Sequence, residues 1–415
     1  MSQAASNVAT SSQAQVACEL TILMPCLNEE ETVGICIEKA LTFLAEHHVN
    51  GEVLVADNGS TDGSAIIARA RGARVVEISE RGYGSALIGG TFAAHGKYVI
   101  MGDADDSYDF MDLMPFLECL RNGTQLVMGN RFKGGIAKGA MPALHQYLGN
   151  PILSWLGRIF YSSKIGDFHC GLRGYDRLAV LSLHLHTTGM EYASEMIVQA
   201  TLHHLTIEEV PTTLSPDGRS HPPHLRSWSD GWRHLRFLLM YSPKWLFLYP
   251  GLFLVGIGFV LGILLGIAPI QIANINFDIN TLLYAAGFVF IGFQAVLFAV
   301  FANIYAYQSA YIPVPDHLIR TVSRFTVERG LIVGLLSTAL GAALSIFALV
   351  YWKDTSFGNL NPARVMRITI PAVVLIVCGI ELCFSSFMIG ILSIRKRDLS
   401  SIDGTEHSAS NDSGP

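Results

Sequence analysis

The hydropathy of this chain changes near residue 240, and that change limits what the chain can fold into. Four long apolar stretches follow it, at about 245–269, 281–308, 331–352 and 369–394. Each reaches the roughly 20 residues that a helix needs to cross the hydrocarbon core of a bilayer. Because four such segments in succession are hard to bury in a soluble protein, the sequence predicts a membrane domain of four transmembrane helices over residues 244–394.

Composition agrees with a membrane protein and excludes some functions. Of the 415 residues, 50% are hydrophobic and only 15% are charged, which is too apolar for an ordinary soluble domain. The net charge of −6 gives no reason to expect a nucleic-acid partner. The seven cysteines form no CxxC pair, so neither a zinc site nor a disulfide framework is indicated. We expect residues 1–18 and 395–415, which are polar, to be disordered tails.

Basic residues predict the orientation of the spans. The loop at 270–280 has no Lys or Arg, whereas the loop between the second and third spans and the end of the fourth span are basic. The positive-inside rule therefore places the N-terminal domain and both termini in the cytoplasm, at the plasma membrane if the source is bacterial. The basic residues on the predicted inner side are Arg320, Arg324, Arg329, Arg395, Lys396 and Arg397. Those that run against the rule are Lys353, Arg364 and Arg367.

Strand-like and helix-like segments alternate over residues 19–214. This alternation predicts an α/β domain with a mostly parallel, doubly wound sheet. A helix follows the first strand, and Asn28 is placed to be its N-cap. The predicted strands are Glu19–Pro25, Glu52–Asp57, Arg74–Ile78, Tyr98–Met101 and Thr124–Gly129.

Acidic residues come directly after the fourth predicted strand. Asp103 and Asp105 stand one residue apart, just beyond Gly102. Ligands of open α/β sheets bind at the carboxyl edge of the strands. Two carboxylates at that edge can hold Mg²⁺ or Mn²⁺, and the ion can neutralise a diphosphate. The alternative is a solvated acidic turn.

Other strand ends at the same edge are also polar. The segments Pro25 to Glu30 and Asp57 to Asp62 follow the first and second strands. Each segment alone has the composition of an ordinary turn, but these two together with the acidic segment after the fourth strand indicate a binding site. Gly82-Tyr83-Gly84 opens a helix, yet Leu87 replaces the third glycine of a dinucleotide-binding motif, so a nicotinamide cofactor is weakly supported.

At these residues the chain resembles the inverting family 2 glycosyltransferases of the GT-A fold. Within that family it is most similar to the polyprenyl-phosphate hexosyltransferases, which act on dolichyl or other polyisoprenyl phosphates. The resemblance covers about residues 19–240. It is carried by the order and spacing of PCLNEEETV (25–33), VADNGSTDGS (55–64), GYGSAL (82–87), DADDS (103–107), GNRF (129–132) and CGLRGYDR (170–177).

The resemblance implies roles for individual residues on the donor side. The nucleotide base and ribose would be cradled by Pro25, Asn28, Glu29 and Asp57. The metal, Mg²⁺ or Mn²⁺, and the diphosphate would be bound by Asp103 and Asp105. Related enzymes often have Gln where Ser107 stands, so a third protein ligand for the metal is left open.

Three arginines complete the implied site. Arg131 resembles a residue placed near the donor and acceptor phosphates, and Arg173 resembles part of the acceptor loop. Arg219, with His221 and Arg226, lies in a Pro-rich loop suited to closing over the donor. The resemblance thus implies Asp105, Arg131 and Arg173 as catalytic residues. The alternative is that Arg131 is an ordinary sheet-edge cation, and the same kind of alternative is open for Arg173.

The implied reaction transfers one hexose, with inversion, from UDP-glucose or GDP-mannose to a polyprenyl phosphate at the cytosolic membrane face. Because that acceptor is already anionic, a general base is optional, and Asp105, Asp106 or Glu191 are weak candidates. The partners implied are a nucleotide sugar, an undecaprenyl- or dolichyl-type phosphate and the bilayer. The resemblance also implies oligomers formed through the spans, without fixing a number.

The segment 215–243 fits a membrane-bound acceptor. Trp228, Trp232, Arg233 and Arg236 read as an interfacial helix with one apolar and one basic side. A plain amphipathic helix docked on the catalytic domain is the alternative.

Three other functions stay open from the sequence. A processive polysaccharide synthase would carry a QxxRW motif, which is missing here. A membrane-anchored transferase acting on another acceptor shares the same catalytic residues. A non-catalytic protein that moves a lipid-linked sugar would need ionisable residues in its spans, of which Glu381 is the clearest.

Overall fold

A computed structural model describes residues 18–220, 227–308, 326–354, 356 and 361–393. The predicted tails, apart from Cys18, lie outside the described residues, as do His221, Arg226, Arg320 and Arg324. The chain divides into two compact units, one ending at Met240 and the other beginning at Tyr241.

A seven-stranded sheet organises the first unit. Its order is β3-β2-β1-β4-β6-β5-β7, and four of its six strand pairings are parallel. The prediction of a mostly parallel α/β sheet is therefore confirmed. The strands are β1 (Leu20–Cys26), β2 (Gly51–Asp57), β3 (Arg74–Glu77), β4 (Tyr98–Met101), β5 (Leu126–Asn130), β6 (Arg173–Asp176) and β7 (Ile207–Pro211).

Helices cover both faces of this sheet because its strands are apolar on both sides. Side chains alternate along β1, so that Ile22 and Met24 join one core while Leu23 joins the other. The first core is completed by α1 (Val33–Glu46), α2 (Ser64–Ala70) and α4 (Met114–Arg121), and the second by α3 (Tyr83–Ala93), α7 (Arg177–Leu181) and α8 (Tyr192–Leu202). The remaining helices of the unit are α5 (Arg131–Gly134), α6 (Asn150–Tyr161) and α9 (Ser227–Met240).

The antiparallel strand β6 was not anticipated from the sequence. It lies between β4 and β5 and runs against both. Its residues belong to the CGLRGYDR segment, whose glycines and charged residues give no strand pattern. Strands β2, β1 and β4 are neighbours and parallel, so their carboxyl ends meet at one edge, where the polar segments were predicted.

The predicted N-cap of α1 is wrong. The helix begins at Val33 with Thr32 at the N-cap position, and Asn28 has a left-handed backbone with φ of 57°. Asn28 instead joins two loops, because its Oδ1 accepts a hydrogen bond from the Thr61 amide at 2.8 Å. The acidic residues after Asn28 precede the helix: Glu30 accepts from the Gly63 amide at 2.9 Å, whereas Glu29 binds Arg219 and Glu31 binds Ser220.

The second unit contains the four predicted membrane helices. A short hairpin of β8 (Ile270–Ile272) and β9 (Ile275–Phe277) joins the first two. The side chain of Arg367 binds Asp278 and the carbonyl oxygen of Leu265, which ties the fourth helix to the ends of the first two. The helices are α10 (Tyr249–Ile267), α11 (Ile279–Gln308), α12 (Val327–Asp354) and α13 (Pro362–Leu392), each long and apolar enough to cross a membrane.

Glycines set the close packing between α10 and α11. A Cβ added at Gly258 would overlap the carbonyl of Ala285, and one at Gly251 would overlap that of Gly292. Gly256, in contrast, has no atom of the described chain within 4 Å of an added Cβ. Small residues allow such close backbone approach in membrane helices.

We predict that Gly258→Leu destabilises the membrane unit, whereas Gly256→Leu does not. The added side chain at Gly258 would force α10 and α11 apart at a cost of about 1–3 kcal/mol, as overpacking usually does. Thermal unfolding of the detergent-solubilised protein measures the difference. Equal melting temperatures for the two variants would contradict the packing described here.

Candidate active site

The acidic pair lies where β4 ends. Asp103 and Asp105 follow Gly102, and Asp105 is only 8% exposed. Oδ1 of Asp105 accepts hydrogen bonds from the amide and the hydroxyl of Ser107, so this serine holds the second acid in place. Burial, together with the charge of Asp105, raises the pKa of Asp103 to about 7. The two carboxylates therefore favour a cation beside them.

Arg219 supplies positive charge to this acidic group. Its guanidinium donates to Asp105 at 2.8 Å and to Glu29 at 2.9 Å, and it also pairs with Asp217 at 2.9 Å. The Gly218 amide donates to the carbonyl oxygen of Asp105, so the backbone beside Arg219 is held against the same segment. The structure thus brings together Glu29, Asp105 and Arg219, although Glu29 and Arg219 are 190 residues apart in the chain.

Asn28 and Asp57 hold the neighbouring loops together. The Asp57 carboxylate accepts from the amides of Gly59 and Ser60 at 3.3 Å, while the Ser60 hydroxyl accepts from the Asn28 amide at 3.0 Å. Pro25 lies in β1 beside Ala56 of β2. The predicted base-binding residues therefore lie together at the carboxyl edge, but the contacts of Asn28 and Asp57 in this structure are those of a loop scaffold.

Arg131 is held by a partner that the sequence analysis missed. Its Nε and Nη2 donate to the two carboxylate oxygens of Asp167 at 2.7 and 2.8 Å, and Asp167 is fully buried. Glu209 in turn accepts from the amide of Asp167. Nη1 of Arg131 has no hydrogen-bond partner within the described residues, and Arg131 lines the cavity described below. One face of the guanidinium is thus fixed and the other is available to a ligand.

Arg173 has a different environment from the one predicted. It is 0% exposed, and its three guanidinium nitrogens donate to the carbonyl oxygens of Cys170, Ala193 and Phe168 at 2.8 to 3.0 Å. With every nitrogen occupied in the interior, its geometry is that of a residue that positions the 168–170 loop. The sequence motif alone does not distinguish this arrangement from an arginine that faces a ligand.

One cavity of about 640 Å³ joins four of the predicted residues. The charged side chains of Asp103, Asp105, Arg131 and Arg219 all contribute to its lining. The lining of this cavity does not include Pro25, Asn28, Glu29, Asp57 or Arg173. Of these five, Glu29 is still linked to the cavity through Arg219.

A mostly apolar wall of the cavity is formed by the π-helical turn His145–Gly149 with α6, and by α9. His145, Asn150, Asp230 and His234 are the polar residues of this wall. Leu144, Leu148 and Ile152 recur every four residues, a helical pattern that the sequence analysis did not use. From α9 the wall takes Trp228, Trp232 and Leu235, and both tryptophans remain more than half exposed.

A buried polar contact fastens α9 to the sheet domain. Nδ1 of His234 lies 2.9 Å from the hydroxyl of Ser194 on α8, and the His234 ring packs edge-on against His169. Burial lowers the pKa of His234 to about 4, so the imidazole is neutral near pH 7. The sequence analysis assigned no role to these residues, because they lie far apart in the chain.

We predict that Arg173→Lys lowers the free energy of unfolding by about 2–4 kcal/mol. A lysine has a single nitrogen and leaves buried carbonyl oxygens without donors. The same change at Arg158, an exposed arginine of α6, is the matched control and should leave the melting temperature unchanged. A normal melting temperature for Arg173→Lys would contradict a positioning role.

Comparison with known proteins identifies the family. Residues 21–182 match the model of glycosyl transferase family 2, and residues 300–393 match that of the glycosyltransferase family 2 C-terminal transmembrane region. The chain is 36% identical, over 385 residues, to the low-salt glycan biosynthesis hexosyltransferase Agl6 of Haloferax volcanii, covering 92% of this chain and 91% of that protein.

A second relative and a solved structure are also similar. A dolichyl-phosphate hexose transferase of Haloferax volcanii is 30% identical over 199 residues, covering 46% of this chain and 81% of that protein. Glucosyl-3-phosphoglycerate synthase of Mycobacterium tuberculosis, solved with Mn²⁺, UDP and phosphoglyceric acid, superposes with a TM-score of 0.43 at 22% identity, covering 54% of this chain and 76% of that one. From its two family matches and its likeness to Agl6, the chain belongs to glycosyltransferase family 2, as a membrane-bound glycosyltransferase with a mostly parallel α/β domain.

Proposed function

We propose that this glycosyltransferase moves a single hexose from UDP-glucose or GDP-mannose to a polyprenyl phosphate. The observation that carries the proposal is the cavity of about 640 Å³, which is lined both by an acidic pair with two arginines and by a mostly apolar wall. A nucleotide sugar needs the first environment and a lipid chain needs the second. The likeness to a dolichyl-phosphate hexose transferase supports the same acceptor class.

The acidic residues fit a divalent cation, Mg²⁺ or Mn²⁺. Among the described residues, no three His, Cys, Asp or Glu side chains form a complete metal site. Mg²⁺, however, is usually bound through one or two carboxylates together with substrate phosphates and water. Asp103 and Asp105 would hold the ion, and the guanidinium of Arg219 among three carboxylates already marks a place that favours positive charge. When bound, the ion supplies charge that stabilises the departing diphosphate.

Other residues of the chain would bind the nucleotide, its diphosphate and the acceptor phosphate. Pro25, Asn28, Glu29 and Asp57 would bind the base and ribose, and Arg219 would exchange its carboxylate partners for the donor diphosphate. Arg131, fixed by Asp167, would hold the attacking phosphate with its open nitrogen. Arg173 would act on the acceptor side only by holding the loop that carries His169 and Cys170.

The phosphate group of the acceptor is itself the nucleophile in this mechanism. A phosphate oxygen forms the bond to the anomeric carbon while the bond to the nucleoside diphosphate breaks, which inverts the configuration. Because the phosphate is anionic at neutral pH, no strong general base is needed. The apolar wall formed by α6 and α9 would bind the lipid chain and exclude water from the reacting atoms.

The orientation is part of the proposal. We place the catalytic unit and both termini in the cytoplasm from the basic loops, with α9 as an interfacial helix. Of the three basic residues that run against this orientation, Arg367 is paired with Asp278 and so adds little net charge to the outer side. Membership in a glycosyltransferase family and the acidic pair facing an open cavity favour catalysis over the non-catalytic transport alternative.

The proposal predicts a lipid product that depends on Asp105. Detergent-solubilised protein is incubated with undecaprenyl phosphate, Mg²⁺ or Mn²⁺, and radiolabelled UDP-glucose or GDP-mannose. We expect organic-extractable label from one donor, and a loss of about 100-fold or more with Asp105→Ala or a chelator, as expected when transition-state charge is left unstabilised.

The control for this assay is Asp112→Ala. Asp112 is an exposed acid downstream of the same segment and lies outside the cavity lining. It should retain full activity. Transfer to a short water-soluble phosphate with no preference for the lipid would instead favour another acceptor, and absence of transfer from either donor would contradict the proposed donors.

Arg131→Lys tests the acceptor-phosphate site. Lysine keeps a positive charge near Asp167 but cannot make the two-nitrogen contact and still present a third nitrogen. We expect at least about tenfold lower kcat/KM for the lipid acceptor. Because one oxygen of the buried Asp167 carboxylate loses its donor, the melting temperature should also fall, so the kinetics are measured below the unfolding transition of the variant. Lys138→Ala, at an exposed lysine nearby in sequence, is the control. Unchanged acceptor kinetics in Arg131→Lys would remove Arg131 from the site.

A further inference from the structure

The Gly82-Tyr83-Gly84 segment is not explained by the roles proposed so far. Its glycines do not form a phosphate-binding loop, because both press against another part of the chain. A Cβ at Gly82 would overlap the carbonyl oxygen of Thr188, and one at Gly84 would overlap that of Thr187. Gly82 also has a φ of 132°, which L side chains rarely adopt. Glycine is therefore required on both sides of Tyr83.

A buried carboxylate holds the opposing segment in place. Glu195 of α8 is 0% exposed, and it accepts from the amide of Thr187 at 2.9 Å and from its hydroxyl at 2.6 Å. The Thr188 carbonyl oxygen then accepts from the Gly84 amide at 2.9 Å. On the other side, the Gly82 amide donates to Oδ1 of Asn58 at 2.6 Å. The backbone around Tyr83 is thus fixed from both sides.

The fixed backbone directs the Tyr83 side chain to the acidic pair. Its hydroxyl donates to Oδ1 of Asp103 at 3.0 Å. The other oxygen of this carboxylate packs against Gly171, where a Cβ would overlap it. Asp103 is therefore held between a phenol and a glycine backbone, and Asp105 is held separately by Ser107.

We propose that Tyr83 is a positioning residue for the divalent cation, which it serves by orienting the Asp103 carboxylate in the cavity. This inference rests on the proposed metal dependence and names a residue that the proposal did not use. Groups that hydrogen-bond a metal-binding carboxylate orient it, and their loss typically weakens metal binding by about 10–100-fold. A tyrosine hydroxyl does so without adding another charge to a crowded acidic site.

The test compares two variants that each remove one buried hydroxyl. In Tyr83→Phe the contact to Asp103 is lost. In the matched control Tyr175→Phe, a fully buried residue of β6 loses its contact with the Thr91 hydroxyl, 2.7 Å away. Binding of Mn²⁺ to the full-length protein in detergent, with UDP or GDP present, is followed by electron paramagnetic resonance.

We expect roughly tenfold weaker Mn²⁺ binding in Tyr83→Phe and unchanged binding in Tyr175→Phe. In the transfer assay, the Mn²⁺ concentration for half-maximal rate should rise by the same factor, while kcat at saturating Mn²⁺ stays within about twofold. In an Asp103→Asn background, adding Tyr83→Phe should weaken binding no further, because the phenol would act through that carboxylate.

Three results would overturn the inference. These are Mn²⁺ binding by Tyr83→Phe at wild-type affinity, an equal loss in Tyr175→Phe, and a full additional loss in the Asp103→Asn background. If the wild-type protein itself binds no Mn²⁺ with either nucleotide, the proposed metal dependence fails first, and that outcome is separate from a variant-specific effect.

Discussion

Repulsion between like charges at the carboxyl edge of the sheet is the constraint on which the site depends. Three neighbouring parallel strands end there, and the segments after them bring Glu29, Asp103 and Asp105 together. Burial, together with the charge of Asp105, raises the pKa of Asp103 to about 7, so positive charge beside the pair favours its ionised form. In this structure Arg219 provides that charge, and it comes from a segment more than 100 residues away.

Arg131 and Arg173, the two arginines predicted to act on the acceptor, show how hydrogen-bond partners determine the role of an arginine. Arg131 donates hydrogen bonds from two nitrogens to the carboxylate of Asp167. Its third nitrogen has no partner within the described residues, and the side chain lines the cavity. Arg173 gives all its nitrogens to buried backbone carbonyls. A guanidinium that has a donor left over at a cavity wall can bind an anion, whereas one whose nitrogens all donate to buried carbonyls stabilises a loop.

The acceptor side of the cavity depends on helices that the acidic motifs do not reveal. The wall formed by α6 and α9 is apolar because leucine, isoleucine and tryptophan recur at helical spacing. Aromatic residues beside this wall are also exposed: Tyr147 of the π-helical turn is 75% exposed and is not part of the cavity lining, and Trp228 of α9, which lines the cavity, is 84% exposed. An exposed apolar surface continuous with a charged site suits a ligand that is itself part lipid and part phosphate.

Local sequence determined the membrane helices, the first five strands and the acidic pair, because length, apolar periodicity and strand-end chemistry act over short distances. Even the family resemblance rested on short motifs in order. Tertiary structure alone decided which groups face each other. The pairing of β6 with β4, the Asp167 contact of Arg131, the Ala193 contact of Arg173 and the Asp103 contact of Tyr83 each join residues that are not neighbours in the chain. Such contacts depend on how the strands and loops are arranged in space, and no local pattern of residues records that arrangement.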